Sequence, residues 1–113
     1  MFVRAKAMYV RVSTRKSREV ADLVRGKKVE DALRILKFIP RKGAFHIAKA
    51  IRSAAANAEE NLKVRDLSNV YVSDLRIEMG PPQKRFMPRA HGRASLIRKP
   101  TTHIKVVLMD KEG

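Results

Sequence analysis

Residues 80–103 read GPPQKRFMPRAHGRASLIRKPTTH. They carry six Lys or Arg (Lys84, Arg85, Arg89, Arg93, Arg98, Lys99), four prolines (Pro81, Pro82, Pro88, Pro100) and no Asp or Glu. Large apolar side chains are few, so the stretch cannot bury a core of its own, and nothing within it neutralises its charge. The core of this 113-residue chain must come from what lies on either side. A chain of that length holds one domain with one modest core.

The flanks have the patterns a core needs. Residues 3–12 alternate as a strand, with Val3, Ala5, Ala7 and Tyr9 set against Arg4, Lys6 and Met8. Ser13 then fits an N-cap, because its hydroxyl can accept from the open amides of a following turn. A helix runs from there to about residue 25, with Val20, Leu23 and Val24 as its apolar stripe. Gly26 suits the left-handed stop. A second helix starts near Val29, with Glu30 and Asp31 where the helix dipole favours anions. Val29, Ala32, Leu33, Leu36 and Ile39 share one face. Pro40 ends that helix and can open the next. The third helix aligns Ala44, Ile47, Ala48, Ile51, Ala55, Ala58 and Leu62 at a 3.6-residue period. So much alanine lets a neighbour approach closely.

Residues 70–79 predict a second strand. Tyr71, Ser73, Leu75, Ile77 and Met79 face one way, and Asp74, Arg76 and Glu78 the other. Residues 104–109 predict a third. Two strands joined by the basic stretch form a hairpin whose far half runs past the core. Twelve residues each way, at about 3.3 Å per residue, reach at most roughly 40 Å. The expected fold is α+β: three helices packed on a small three-stranded antiparallel sheet, with a long projecting β-hairpin. The body spans residues 1–79 and 104–113, and the arm 80–103.

Charge points to the partner. The chain has 26 Lys and Arg against 11 Asp and Glu, a formal charge of +15. Residues 1–18 hold six cations and no acid, residues 19–78 twelve against nine, and residues 79–113 eight against two. The middle is balanced, and both ends are basic. A polyanion that meets the two ends together would supply the missing charge. In the arm arginine outnumbers lysine four to two. A guanidinium forks onto phosphate and stacks on a base, where an ammonium is a point charge. Glycine and the prolines restrict the tip and lower the entropy lost on docking.

Other chemistries find little footing. There is no cysteine, so neither disulfides nor thiolate metal sites arise, and an intracellular setting is expected. MFVRAKAMYV is broken by Arg4 and Lys6, and no run approaches the apolar length of a membrane span. With no Trp and few aromatics, a sheet of base-stacking aromatics is not expected. None of His46, His91 and His103 has a metal-ligating neighbour at the right spacing. His46 falls on the polar side of the third helix, and the other two sit among arginines. No phosphate-cradling glycine loop or nucleophile elbow is present. The chain is expected to be no enzyme and to need no cofactor.

At KRFMPRAHGRASLIRKPTTH the chain resembles the large-subunit ribosomal protein twenty-two family in its bacterial form. The match is carried by Lys84, Arg85, Pro88, Arg89, Ala90, Gly92, Arg93, Ala94, Ile97, Lys99 and His103. YVRVSTRKSREVADLVRGKKVEDAL, SAAANAEEN and VYVSDLRIEMGPPQKR extend it over nearly the whole chain, in order. One departure is Thr14, where many relatives carry proline after the capping serine. The resemblance implies a cytoplasmic, ribosome-bound protein with a body on the outer surface of the large subunit. It implies a hairpin running through ribosomal RNA to the wall of the nascent-peptide exit tunnel, beside the fourth protein of that subunit. It also implies a role in early assembly, and a tip whose changes alter responses to macrolides and stalling peptides.

The expected RNA contacts are Arg11, Arg15, Lys16 and Arg18 on the body, and Lys84, Arg85, Arg89, Arg93, Arg98, Lys99 and His103 along the arm. The expected tip is Met87, Pro88, Arg89, Ala90, His91, Gly92 and Arg93. Partners are large-subunit ribosomal RNA, neighbouring ribosomal proteins and the passing nascent peptide, with no membrane and a monomer when free. The alternative is an architectural DNA-binding protein with basic β-arms, in which Pro88 would be a wedge. Such a protein would ordinarily be a symmetric dimer.

Overall fold

The computed structural model of the chain describes residues 2–61, 69–81, 83–88, 94–99 and 101–110, with side chains throughout except at 2, 61, 83–88 and 94–99. Strand β1 (Phe2–Val10) leads into helices α1 (Thr14–Val24), α2 (Val29–Lys37) and α3 (Lys42–Asn61). Strands β2 (Val70–Met79), β3 (Gln83–Pro88), β4 (Ala94–Lys99) and β5 (Thr102–Asp110) follow. One antiparallel sheet has the order β1-β5-β2, and β3 and β4 form a separate two-stranded ladder. Three helices cover one face of the three-stranded sheet, and the second ladder extends the β2–β5 hairpin, as the patterning implied.

The helix signals act where the sequence puts them. Ser13 caps α1, its hydroxyl accepting from the Lys16 amide at 3.4 Å. Gly26 has φ +83°. The alanine helix α3 buries Ala44, Ile47, Ala48, Ile51, Ala55 and Ala58, and also Ala50 and Ala54. It is covered on several sides because it lies over β1 and β5 and takes α1 and α2 against its flanks. Leu62, expected to extend its stripe, lies outside the described residues. The helix begins at Lys42, two residues beyond Pro40, which lies in the linker instead of the first turn.

Leu23 is 55% exposed, contrary to the expected α1 stripe. The buried face is Thr14, Ser17, Val20, Ala21 and Val24. Small residues fill it because α1 approaches α3 closely. A Cβ added at Gly43 would lie 2.5 Å from Ser17 Oγ.

Two bulges re-aim the strands. Val72 pairs with Leu108 and Asp74 with Val107, so Ser73 is an extra residue in β2. The inward face changes parity there, from Val70 and Val72 to Leu75 and Ile77. Tyr71 and Ser73 therefore do not share the face of Leu75, and Met79 is exposed at the strand's end. In β1 the register shifts between Ala7 and Val10. Tyr9 there adopts φ +56° and is 60% exposed, not inward. The strand ends at Val10, two residues short of the expected bound.

As an edge strand, β2 would offer unpaired backbone groups to another chain. The α1–α2 linker and two arginines of the α1 segment cover it. Gly26 N–H donates to Val72 O and Val72 N–H to Lys27 O, both at 2.8 Å. Leu75 O accepts from Arg25 Nη2 at 2.6 Å and Nε at 3.2 Å, and Ile77 O from Arg18 Nε at 3.1 Å.

Candidate nucleic-acid interface

The arm is built by register. Gln83 lies opposite Lys99, Lys84 opposite Arg98, Arg85 opposite Ile97, Met87 opposite Ser95 and Pro88 opposite Ala94. Lys84 and Arg98 are thus paired in the backbone register of the ladder. Arg89, Ala90, His91, Gly92 and Arg93 lie outside the described residues. The principal extents are 67 × 27 × 16 Å, and the radius of gyration is 17.2 Å. A compact chain of this length would have a radius of gyration of about 13 Å, so the mass is drawn out along one axis.

The root of the arm is tied to the body by polar contacts. Gly80 N–H donates to Thr101 O at 2.9 Å, and Thr101 Oγ1 donates to Pro81 O at 2.6 Å. Thr102 Oγ1 donates to Val12 O at 2.8 Å and lies 2.8 Å from Thr14 Oγ1. Thr102's single hydroxyl proton is committed to Val12, so Thr14 is the donor in their contact. Thr14 fills the first helical position, which tolerates proline. Threonine makes a buried hydrogen bond there that proline could not make.

His103 completes the root. Its Nδ1 accepts from the Tyr9 amide at 3.0 Å, and the two rings meet edge-on at 4.8 Å. That bond leaves only Nε2–H free to donate outward. His103 was expected to touch RNA; its first task in this fold is to hold the β1 bulge against β5.

Arg11, Arg15 and Lys16 are exposed beside this root, since the intervening Val12 and Thr14 bond to Thr102. Arg18 is also exposed, but its Nε serves the β2 edge. Several other cations of the body are tied up. Arg25 pairs with Asp22 at 2.6 Å, Arg41 with Glu19 at 2.7 Å, Arg76 with Asp74 at 2.9 Å and Lys105 with Glu78 at 2.8 Å. Hydrogen bonds from Arg41 and Lys105 hold the Glu19 and Glu78 carboxyls below the usual carboxylate range.

A second basic surface was not anticipated. The free edge of β1 and the facing side of α3 form a groove lined by Lys6, Tyr9, Arg11, Lys42, His46 and Lys49, among others. Its cations come from segments far apart in sequence, so no local charge run marks it. Among the described residues there is no cluster of three metal-ligating side chains, and no helix is long and apolar enough to cross a membrane.

Comparison with known proteins adds a lineage to this geometry. The family model described as ribosomal protein L22p/L17e matches residues 5–109. The large ribosomal subunit protein uL22 of Clostridioides difficile (strain 630) is 53% identical over 112 residues, covering 99% of this chain and 100% of that protein. The uL22 of Geobacter sulfurreducens is 52% identical over 108 residues, 96% of each chain. That of Pelotomaculum thermopropionicum is 48% identical over 112 residues, 99% of this chain and 98% of that protein.

Proposed function

Because the chain belongs to the ribosomal protein L22p/L17e family, we propose that it is a structural constituent of the large ribosomal subunit that binds large-subunit ribosomal RNA. The family is one of ribosomal proteins, not of enzymes. One structural observation supports the RNA reading above others. An acid-free two-stranded arm leaves the body beside Arg11, Arg15 and Lys16, so two basic surfaces meet at one root. RNA phosphates threaded there would meet both at once.

In this reading residues 1–79 and 104–113 form the body, and residues 80–103 the arm. Lys84, Arg85, Arg89, Arg93, Arg98 and Lys99 contact phosphates or stack on exposed bases. The Nε2–H of His103 is a donor at the root. The arm ends in Met87 to Arg93 at the wall of the nascent-peptide exit tunnel, next to neighbouring ribosomal proteins and the passing peptide. The free protein is a monomer, and its place in the cell is the cytoplasmic ribosome. The alternative of an architectural DNA-binding protein is not supported, since the family model and the relatives named above are all ribosomal.

Equilibrium binding to large-subunit ribosomal RNA and to duplex DNA, across a salt series, tests this. The expected result is a steep loss of affinity with salt and a preference for the RNA. Arg15→Ala or Lys16→Ala should lower the salt slope by about 0.9 for each phosphate left without its cation. Arg18 is left out of that set because its replacement would also open the β2 edge. A dimer that prefers and bends duplex DNA would overturn the reading.

A further inference from the structure

Surface grooves lined by described residues differ in charge. The open face of the sheet gathers Arg4, Lys6, Arg76 and Lys105 but also Asp74. The groove between α1 and β2 holds Arg18 and Arg25 together with Asp22, Asp74 and Glu78. The groove between the β1 edge and α3 has cations and no carboxylate in its lining. Among the described residues, Lys6, Arg11, Lys42 and Lys49 make no ion pair. These four exposed cations converge on one trough and favour an anion from outside.

The same groove presents aromatic surface. Tyr9 is 60% exposed at its mouth, and φ +56° sets the direction of its side chain. A non-glycine residue is disfavoured in that region. The ring held there packs edge-on against His103 and still leaves more than half of Tyr9 open to the groove. On α3, His46 lines the groove, and its ring is met edge-on at 5.3 Å by Phe45, which lies outside the lining. Burial first, then Lys42 and Lys49, pull the His46 pKa below the ordinary imidazole value, so the ring is neutral at neutral pH and adds no repulsion.

We propose that this groove binds a single-stranded RNA segment, with phosphates on Lys6, Arg11, Lys42 and Lys49 and an unpaired base against Tyr9. It rests on the RNA-binding reading above and adds a surface of the body that runs from the arm's root along α3. A single strand fits better than a duplex because an exposed ring needs a base face that a duplex keeps stacked. An acidic peptide would satisfy the cations but would leave the Tyr9 ring without a flat partner.

The test uses the full chain and two variants, Lys42→Ala with Lys49→Ala, and Tyr9→Gly. Glycine is at ease at positive φ, so Tyr9→Gly keeps the bulge and the amide bond to His103 while removing the ring and its edge-on contact with that histidine. The probes are a large-subunit ribosomal RNA transcript and a short unstructured oligoribonucleotide carrying 4-thiouridine. The lysine pair should lower the salt slope on the oligonucleotide by roughly 1.4, at about 0.7 per phosphate of a single strand. Tyr9→Gly should weaken oligonucleotide binding about fivefold or more with the slope unchanged. Irradiation should place adducts on Tyr9. Wild-type slope and affinity in both variants, or crosslinks in assembled subunits to protein in place of RNA, would overturn the groove. Failure of the wild-type chain to bind the ribosomal RNA transcript would instead overturn the broader reading, and the groove with it.

Discussion

The Tyr9 amide donates to Nδ1 of His103 at 3.0 Å, binding the bulge of one edge strand to the central strand at the root of the arm. Tyr9 holds a left-handed backbone there, and the histidine nitrogen satisfies the amide that this conformation turns outward. His103→Leu keeps the ring's approximate volume and removes the acceptor. It should cost about 1 kcal/mol, read as a lower urea midpoint with an unchanged m-value. An unchanged midpoint would mean that the bond contributes nothing to the fold.

Gly80 lies where the body sheet gives way to the arm. A Cβ there would fall 2.6 Å from Thr101 Oγ1, a fully buried hydroxyl already committed to Pro81 O. Gly80→Ala should therefore cost about 1–3 kcal/mol by overpacking. Wild-type stability in that variant would show that the root is looser than these contacts require.

Arg25 spends two N–H groups on Leu75 O and a third on Asp22. Arg25→Met keeps much of the stem packing but leaves an edge carbonyl and a carboxylate without it. The expected loss is about 1.5 kcal/mol, with faster aggregation as the β2 edge opens. Arg25→Lys should recover only part of this, because an ammonium cannot reproduce the fork. Full recovery by lysine would reduce the contact to simple charge.

Much of this was readable in the sequence, and the part that was not shares one cause. Ser13, Gly26, the alanines of α3 and the pairing of the two outer hairpin strands are local signals, each decided within a turn or a strand. The bulges at Tyr9 and Ser73 depend on the partner strand's register, which alternation along one strand cannot reveal. Leu23 looked internal because the close approach of Ser17 to Gly43, which turns α1 onto its small residues, joins segments far apart. The groove of Lys6, Lys42 and Lys49 stayed hidden for the same reason. The arm's charge was evident at once, being contiguous.

The Ser17–Gly43 contact can be tested as a pair. Ser17 Oγ is buried without a hydrogen-bond partner. Ser17→Ala removes a desolvated hydroxyl and should be neutral or stabilising. Gly43→Ala should destabilise by about 1–3 kcal/mol through the 2.5 Å clash. The double variant Ser17→Gly with Gly43→Ala should lose less than the sum of its singles, with a coupling of at least about 0.5 kcal/mol. Strict additivity would contradict the close approach.

Acidification should weaken the fold in two windows. The folded pKa of His46 lies below its ordinary 6.5, through burial and then Lys42 and Lys49. Its neutral-state stabilisation is present above that value and is lost as pH falls through the lowered one. Glu19 lies below its ordinary 4.5 through the Arg41 hydrogen bond and charge. Its contribution is present above 4.5 and is lost at lower pH still. His46→Gln should flatten the first window and leave the second. A His46→Gln profile identical to wild type between about pH 7 and 5 would contradict the first assignment.

The most direct measurement is crosslinking in cell lysate followed by sedimentation. The protein should travel with large subunits, and RNA crosslinked from residues 80–103 should map to the wall of the nascent-peptide exit tunnel. Recovery in fractions free of large subunits, or arm crosslinks dominated by DNA or by RNA remote from the tunnel, would contradict the proposal at its centre.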